Sequence, residues 1–183
     1  IKEVKSLIDN GVKEIILVAQ DTTRYGIDLT GKHELANLLN DICKIDGNFK
    51  VRILYCYPQD LTDELIDAIA INDKVCKYID LPLQHASDKI LKAMNRRDTS
   101  AMTGALIDKI RARIPNVVLR TTFIVGFPGE TDDDVEILAA FIKKYKFERL
   151  GVFTYSQEEG TPAARFPDQV EQSVKEERKA FIM

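Results

Sequence analysis

The stretch Val117-Val118-Leu119-Arg120-Thr121-Thr122-Phe123-Ile124-Val125-Gly126-Phe127-Pro128-Gly129-Glu130-Thr131-Asp132-Asp133-Asp134-Val135 decides the fold. From 117 to 127 it is rich in β-branched and aromatic residues, as in a strand buried on both faces. Gly126, Pro128 and Gly129 then mark a turn. Thr131 and Asp134 have the spacing of a capping box, with Asp in place of the preferred Glu or Gln. Asp132 and Asp133 suit the positive end of the dipole of the next helix. The stretch therefore reads as one βα unit.

Working outward, similar apolar runs lie at about 14–19, 50–57, 78–83 and 149–155. Helical patterns fall between them at about 34–45, 61–71, 87–94 with 100–113, and 131–145. In the second of these, Leu61, Leu65, Ile66 and Ile69 share one face, and Thr62 supplies a helix-start signal. Such alternation predicts parallel strands joined by helical crossovers. A complete eight-stranded barrel takes about 250 residues, more than the 183 present, so the expected fold is a partial parallel (β/α) barrel. The chain opens on a helix-like segment, Ile1 to Asn10, where this succession calls for a strand first. A first strand and its loop are thus expected upstream in a longer protein. Residues 1–160 are assigned to the barrel. Residues 161–183, with Pro162, Phe166-Pro167 and a polar helix-like stretch, are assigned to a link toward a further domain.

The composition narrows the function classes. With 45% hydrophobic and 30% charged residues, one ordered domain with a substantial core is expected. Apolar runs such as Ile15-Ile16-Leu17-Val18-Ala19 are far shorter than the roughly 20 residues of a membrane helix, so a soluble, cytoplasmic protein is expected. A net charge of −3 argues against a general nucleic-acid surface, although a local basic patch stays open. Cys43, Cys56 and Cys76 form no C-x-x-C pair, and they read as free thiols in the interior. There is no G-x-S-x-G, H-E-x-x-H or phosphate loop.

In parallel βα folds, ligands bind where strands end. The first strand exits into Gln20-Asp21-Thr22-Thr23-Arg24, where ligand contact is the favoured reading of Gln20 and Asp21, with turn formation or helix capping as the alternative. The third exits at Gln84-His85-Ala86-Ser87. Here Gln84 can bond a ribose hydroxyl, His85 reads as structural and Ser87 as a helix cap. Arg120 needs either an ion-pair partner or a carboxylate ligand. Gly126 leaves room for a planar ring to approach, and a plain βα turn uses glycine as well. Tyr155 suits either stacking on a ligand or the edge of the core. Arg96 follows a helix with an apolar face and reads as a solvated helix end or a ligand contact.

Three segments, Val18-Ala19-Gln20-Asp21-Thr22-Thr23-Arg24-Tyr25-Gly26, Leu81-Pro82-Leu83-Gln84-His85-Ala86-Ser87 and Leu119 to Thr131, together resemble the radical S-adenosylmethionine methylthiotransferases. Gln20-Asp21-Thr22, His85-Ala86-Ser87 and Tyr155-Ser156-Gln157-Glu158-Glu159-Gly160-Thr161 look like the branch that modifies an aspartate of a small-subunit ribosomal protein. The tRNA-modifying branch, the alternative, usually carries an arginine near Glu158. The resemblance implies S-adenosylmethionine as cofactor. It also implies a [4Fe-4S] cluster whose C-x-x-x-C-x-x-C ligands lie outside this chain, a second cluster upstream, an electron donor, and a small β domain downstream. It further implies hydrogen removal from the aspartate β-carbon by a 5′-deoxyadenosyl radical. By position, Gln20 and Asp21 would lie near the methionine end of the cofactor, Gln84 near the ribose, Gly126 and its neighbours near the adenine, and Tyr155 at the far edge. Arg96 and Arg120 would contact carboxylates, and Thr122 belongs to the same cofactor-binding set. Without the cluster ligands, the 183 residues alone are expected to be non-catalytic.

Overall fold

The computed structural model describes all residues, 1–183. Five strands form: β1 (Glu14–Leu17), β2 (Lys50–Ile53), β3 (Val75–Asp80), β4 (Val118–Val125) and β5 (Arg149–Thr154). The helices are α1 (Lys2–Asp9), α2 (Ile27–Thr30), α3 (Leu35–Cys43), α4 (Asp63–Ile71), α5 (Asp88–Ala93), α6 (Ser100–Arg113), α7 (Asp132–Tyr145) and α8 (Gln172–Ile182). The sheet order is β1-β2-β3-β4-β5, with parallel pairing from β1 through β4. This five-stranded α/β arrangement is the expected partial barrel.

All five strands end before their apolar runs do, β2 and β3 by the most. β2 stops at Ile53 because Tyr55 takes a left-handed backbone at φ 57°. β3 stops at Asp80, where Pro82 has no N–H for the ladder and Gln84 is left-handed at φ 71°. β4 differs in its burial. Leu119, Thr121, Phe123 and Val125 are fully buried, whereas Arg120, Thr122 and Ile124 share a half-buried face. A strand alternates its side chains, so the polar residues of this run occupy one face.

The chain divides into two compact units. The first comprises residues 1–81 and 106–120. Its core packs Val51, Ile53, Ile79 and Leu119 with Leu35, Leu39 and Ile42 of α3, Leu65, Ile66 and Ile69 of α4, and Ile107 and Ile110 of α6. Thr62 caps α4 by accepting from Leu65 N at 3.3 Å. At the other end of α4, the Lys77 ammonium donates to the carbonyls of Ala70 and Asn72, both at 2.9 Å, and to that of Ile69, satisfying acceptors the helix leaves open.

The second unit comprises residues 82–105 and 121–183. Phe123, Val125, Leu138, Ile90 and Leu91 form its interior, and Phe123 meets Phe147 edge to face at 5.9 Å. The capping box of α7 is present. Asp134 accepts from both the backbone N and the hydroxyl of Thr131 at 2.8 Å. α8 packs on β5. Gly104, inside α6, is glycine because Tyr145 passes where a Cβ would stand. No helix is long and apolar enough to cross a membrane.

Candidate functional site

In the first unit, the residues after β1 are knitted to the end of β2. Thr22 N donates to Tyr55 O at 3.0 Å, and its hydroxyl donates to Leu54 O at 2.6 Å. Asp21 caps the short 3-10 turn 22–24, accepting from Thr23 N at 3.1 Å and from the Thr23 hydroxyl, which in turn accepts from Tyr57 N at 3.2 Å. The structure thus shows Asp21 in the capping role. Gln20 beside it is exposed, and its amide has no partner within the chain.

Arg120 has the partner that its place in a strand demands. Its NH1 lies 2.6 Å from Asp80 Oδ1. Asp80 is 1% exposed and also accepts from Tyr55 N at 3.2 Å. One carboxylate at the end of β3 therefore orients the Arg120 guanidinium and stabilises the left-handed backbone of Tyr55. The hydrogen bond to Asp80, more than the surrounding charges, holds the guanidinium in its protonated form. With its side chain 41% exposed, Arg120 keeps donors available to a ligand. Asp80 was not singled out in the sequence, although an aspartate ending an apolar run is a usable signal.

In the second unit, Gln84 bridges to Phe123, donating its N–H to Thr122 O at 2.9 Å and accepting from Ile124 N at 2.7 Å. Its side-chain amide is unpaired. His85 is buried and structural, as expected. Ser87 N donates to its Nδ1 at 2.9 Å, so Nε2 carries the proton and donates to Glu130 Oε2 at 3.2 Å. Glu130, also buried, takes Gly126 N at 2.7 Å and Arg178 NH1 at 3.1 Å on its other oxygen. Ser87 stands at the N-cap of α5, but its hydroxyl donates instead to Asp134 Oδ1 at 2.7 Å. Burial alone would raise the Asp134 carboxyl, yet hydrogen bonds from Lys89, Ser87 and Thr131 outweigh it and hold the group well below the usual carboxylate range. Arg96 pairs with Asp98 at 2.9 Å and reaches Pro82 O at 3.5 Å, so its observed carboxylate is an internal one. Gly126 is left-handed at φ 75°, and the space beside it is filled by the stem of Lys175. Tyr155 N donates to Val125 O at 2.8 Å, its ring meets Phe127 edge to face at 5.1 Å, and its hydroxyl is buried without a partner.

The two cofactors implied by the resemblance fare differently. Groups suited to S-adenosylmethionine lie at strand exits within the second unit, the unmet hydroxyl of Tyr155 and the unpaired amide of Gln84; taken separately, the first unit offers the free amide of Gln20. A [4Fe-4S] cluster does not fit. Cys43 is on α3, Cys56 lies beyond the end of β2 and Cys76 is on β3, and no three potential ligands converge. Burial, reinforced by Asp80 and Asp21, pushes the Cys56 thiol strongly up, away from the thiolate a metal requires.

The chain belongs to the radical SAM superfamily, whose family profile matches residues 1–142. Among curated relatives, it is 53% identical over its whole length to the ribosomal protein uS12 methylthiotransferase RimO of Lachnoclostridium phytofermentans, covering 42% of that protein. It is 55% identical to RimO of Desulforamulus reducens over 96% of the chain and 40% of the relative. The corresponding figure for RimO of Acetivibrio thermocellus is 54%, over the whole chain and 40% of the relative. The chain thus spans about two fifths of the length of these relatives. In fold it is similar to Escherichia coli coproporphyrinogen III oxidase HemN, with a TM-score of 0.70 at 16% identity, over 99% of this chain and 44% of that one. It is also similar to the methyltransferase TsrM of Kitasatospora setae, with a TM-score of 0.64 at 18% identity, over 82% of this chain and 28% of that one.

Proposed function

We propose that the chain is the radical S-adenosylmethionine core of a methylthiotransferase that places a methylthio group on the β-carbon of an aspartate in small-subunit ribosomal protein uS12. The observation that carries this reading is identity above half with RimO proteins along the whole chain. When bound, S-adenosylmethionine supplies hydrogen abstraction and a methyl group. Cluster ligands, the electron donor and the rest of the substrate surface belong to the longer protein, which acts in the cytoplasm.

Within the chain, Gln20 offers its free amide to the methionine end of the cofactor, with Asp21 holding the turn that presents it. Gln84 offers an amide to the ribose, from a left-handed residue whose backbone is bridged to Phe123. Thr122 borders the adenine together with the backbone of Gly126, whose side-chain space the Lys175 stem occupies, and Tyr155 gives its unmet hydroxyl at the far edge. Arg120, aimed by Asp80, takes a carboxylate. Arg96 orders the loop beyond Pro82 through Asp98.

The test uses the intact reading frame, reconstituted with iron and sulfide and given S-adenosylmethionine, reductant and uS12. Mass spectrometry should find one hydrogen of the aspartate replaced by methylthio, with tRNA unmodified. Methylthiolated adenosine in tRNA together with unchanged uS12 would overturn the assignment in favour of the tRNA-modifying reading.

A further inference from the structure

Lys175 lies on the polar helix α8, yet it is only 6% exposed. Its stem runs over Gly126, where any side chain would collide with it. Its ammonium donates to Tyr155 O at 3.0 Å and sits 5.1 Å from the centre of the Tyr155 ring. No carboxylate pairs with it. Lys77 makes a useful contrast, since its ammonium gathers three carbonyls at a helix end. Lys175 has one carbonyl and one ring face for three N–H donors and a full charge. The hydroxyl of the same tyrosine is buried without any partner. A buried polar group is costly until something accepts from it, and a buried cation more so.

We propose that Lys175 and Tyr155 form a carboxylate subsite, the ammonium and the phenol hydroxyl both donating to one bound carboxylate. Ligand identity rests on the proposed function, which sets the methionine end of the cofactor at Gln20, so the subsite takes the aspartyl side chain of the polypeptide substrate, and the carboxylate of the cofactor is the other source the test separates. α8 is then part of the ligand-binding end of its unit rather than only a link toward a further domain. Gly126 lacks a side chain because the stem that delivers the ammonium passes across it.

Titration calorimetry on the 183-residue chain tests this with two ligand pairs. One is a uS12 peptide carrying its aspartate against the same peptide with asparagine. The other is S-adenosylhomocysteine against 5′-methylthioadenosine, which lacks the carboxylate-bearing end. The chain should prefer the carboxylate member of one pair, and that pair names the source. Tyr155→Phe removes a hydroxyl that no protein group holds, so the fold persists. Tyr155→Phe and Lys175→Met should each cut the preference about tenfold, the scale of a hydrogen bond to a charged group, and Lys175→Met should leave the uncharged member unaffected. Lys175→Arg, which keeps the cation, should retain most of it. No preference in either pair, or equal losses for both members in Tyr155→Phe, overturns the subsite. Preference without methylthiolation by the longer protein counts against the proposed function alone.

Discussion

Glu130→Gln tests the buried hub of the second unit. One Glu130 oxygen accepts from Gly126 N at 2.7 Å and Arg178 NH1 at 3.1 Å, the other from His85 Nε2 at 3.2 Å. Glutamine keeps the shape but presents one oxygen and one NH2. Whichever way it turns, a donor faces either Gly126 N–H or the His85 Nε2–H, and His85 cannot move its proton because Nδ1 is already accepting from Ser87 N. Arg178, with its side chain 12% exposed, keeps only the exposed Asp132 as a carboxylate partner. Removing one member of a buried pair costs about 3–5 kcal/mol. At roughly 2–4 °C per kcal/mol for a chain of this size, the melting temperature should fall by at least about 6 °C. Thermal unfolding monitored by circular dichroism gives the number. A loss below about 1 kcal/mol would refute the hub, since one ordinary hydrogen bond already contributes that much.

The Asp134 carboxyl is held below its ordinary value, so its stabilising share is present above the unfolded pKa, about 3.9, and is lost as pH falls through the lower folded value. Asp134→Asn should therefore be destabilised near neutrality by roughly 1–3 kcal/mol, with the gap to the unaltered protein closing in strong acid. Urea titrations across the acid range would show a constant gap if the network does not form. Gly104→Ala should destabilise the chain by about 1–3 kcal/mol, against the usual helix gain from alanine, because the added methyl meets the Tyr145 hydroxyl. Tyr145→Phe should recover part of that loss in chemical unfolding, and an unaffected double-mutant cycle would sink the explanation. Cys56 should resist alkylation at mildly alkaline pH in the folded chain, since burial raises its thiol, and react once denaturant is added. Rapid native labelling in a mass-spectrometric time course would contradict its placement.

Much of the fold was legible because it rests on local rules. The five strand runs, the Thr131–Asp134 capping box and the Thr62 cap arise from residue type and spacing, and the structure bears each out. Strand ends were less legible. Left-handed backbone at Tyr55 and Gln84 cuts β2 and β3 short, and neither residue type announces it. The binding roles drawn for strand-exit residues remain proposals, but their settings are now specific. Asp21 caps a turn, Arg96 meets Asp98 two residues on, and Arg120 is steered by Asp80.

What the sequence by itself determined is the succession of βα units and the family to which it belongs, because hydrophobic periodicity, caps and contiguous motifs are properties of neighbouring residues. Only the tertiary structure decided which partner each buried cation meets. It brought Arg178 to Glu130 and Lys175 to Gly126 and Tyr155 across long gaps in the chain. The physical reason is that a charge or a hydroxyl in the interior must be satisfied by whatever group packing places beside it, and spacing along the chain carries no record of that neighbour.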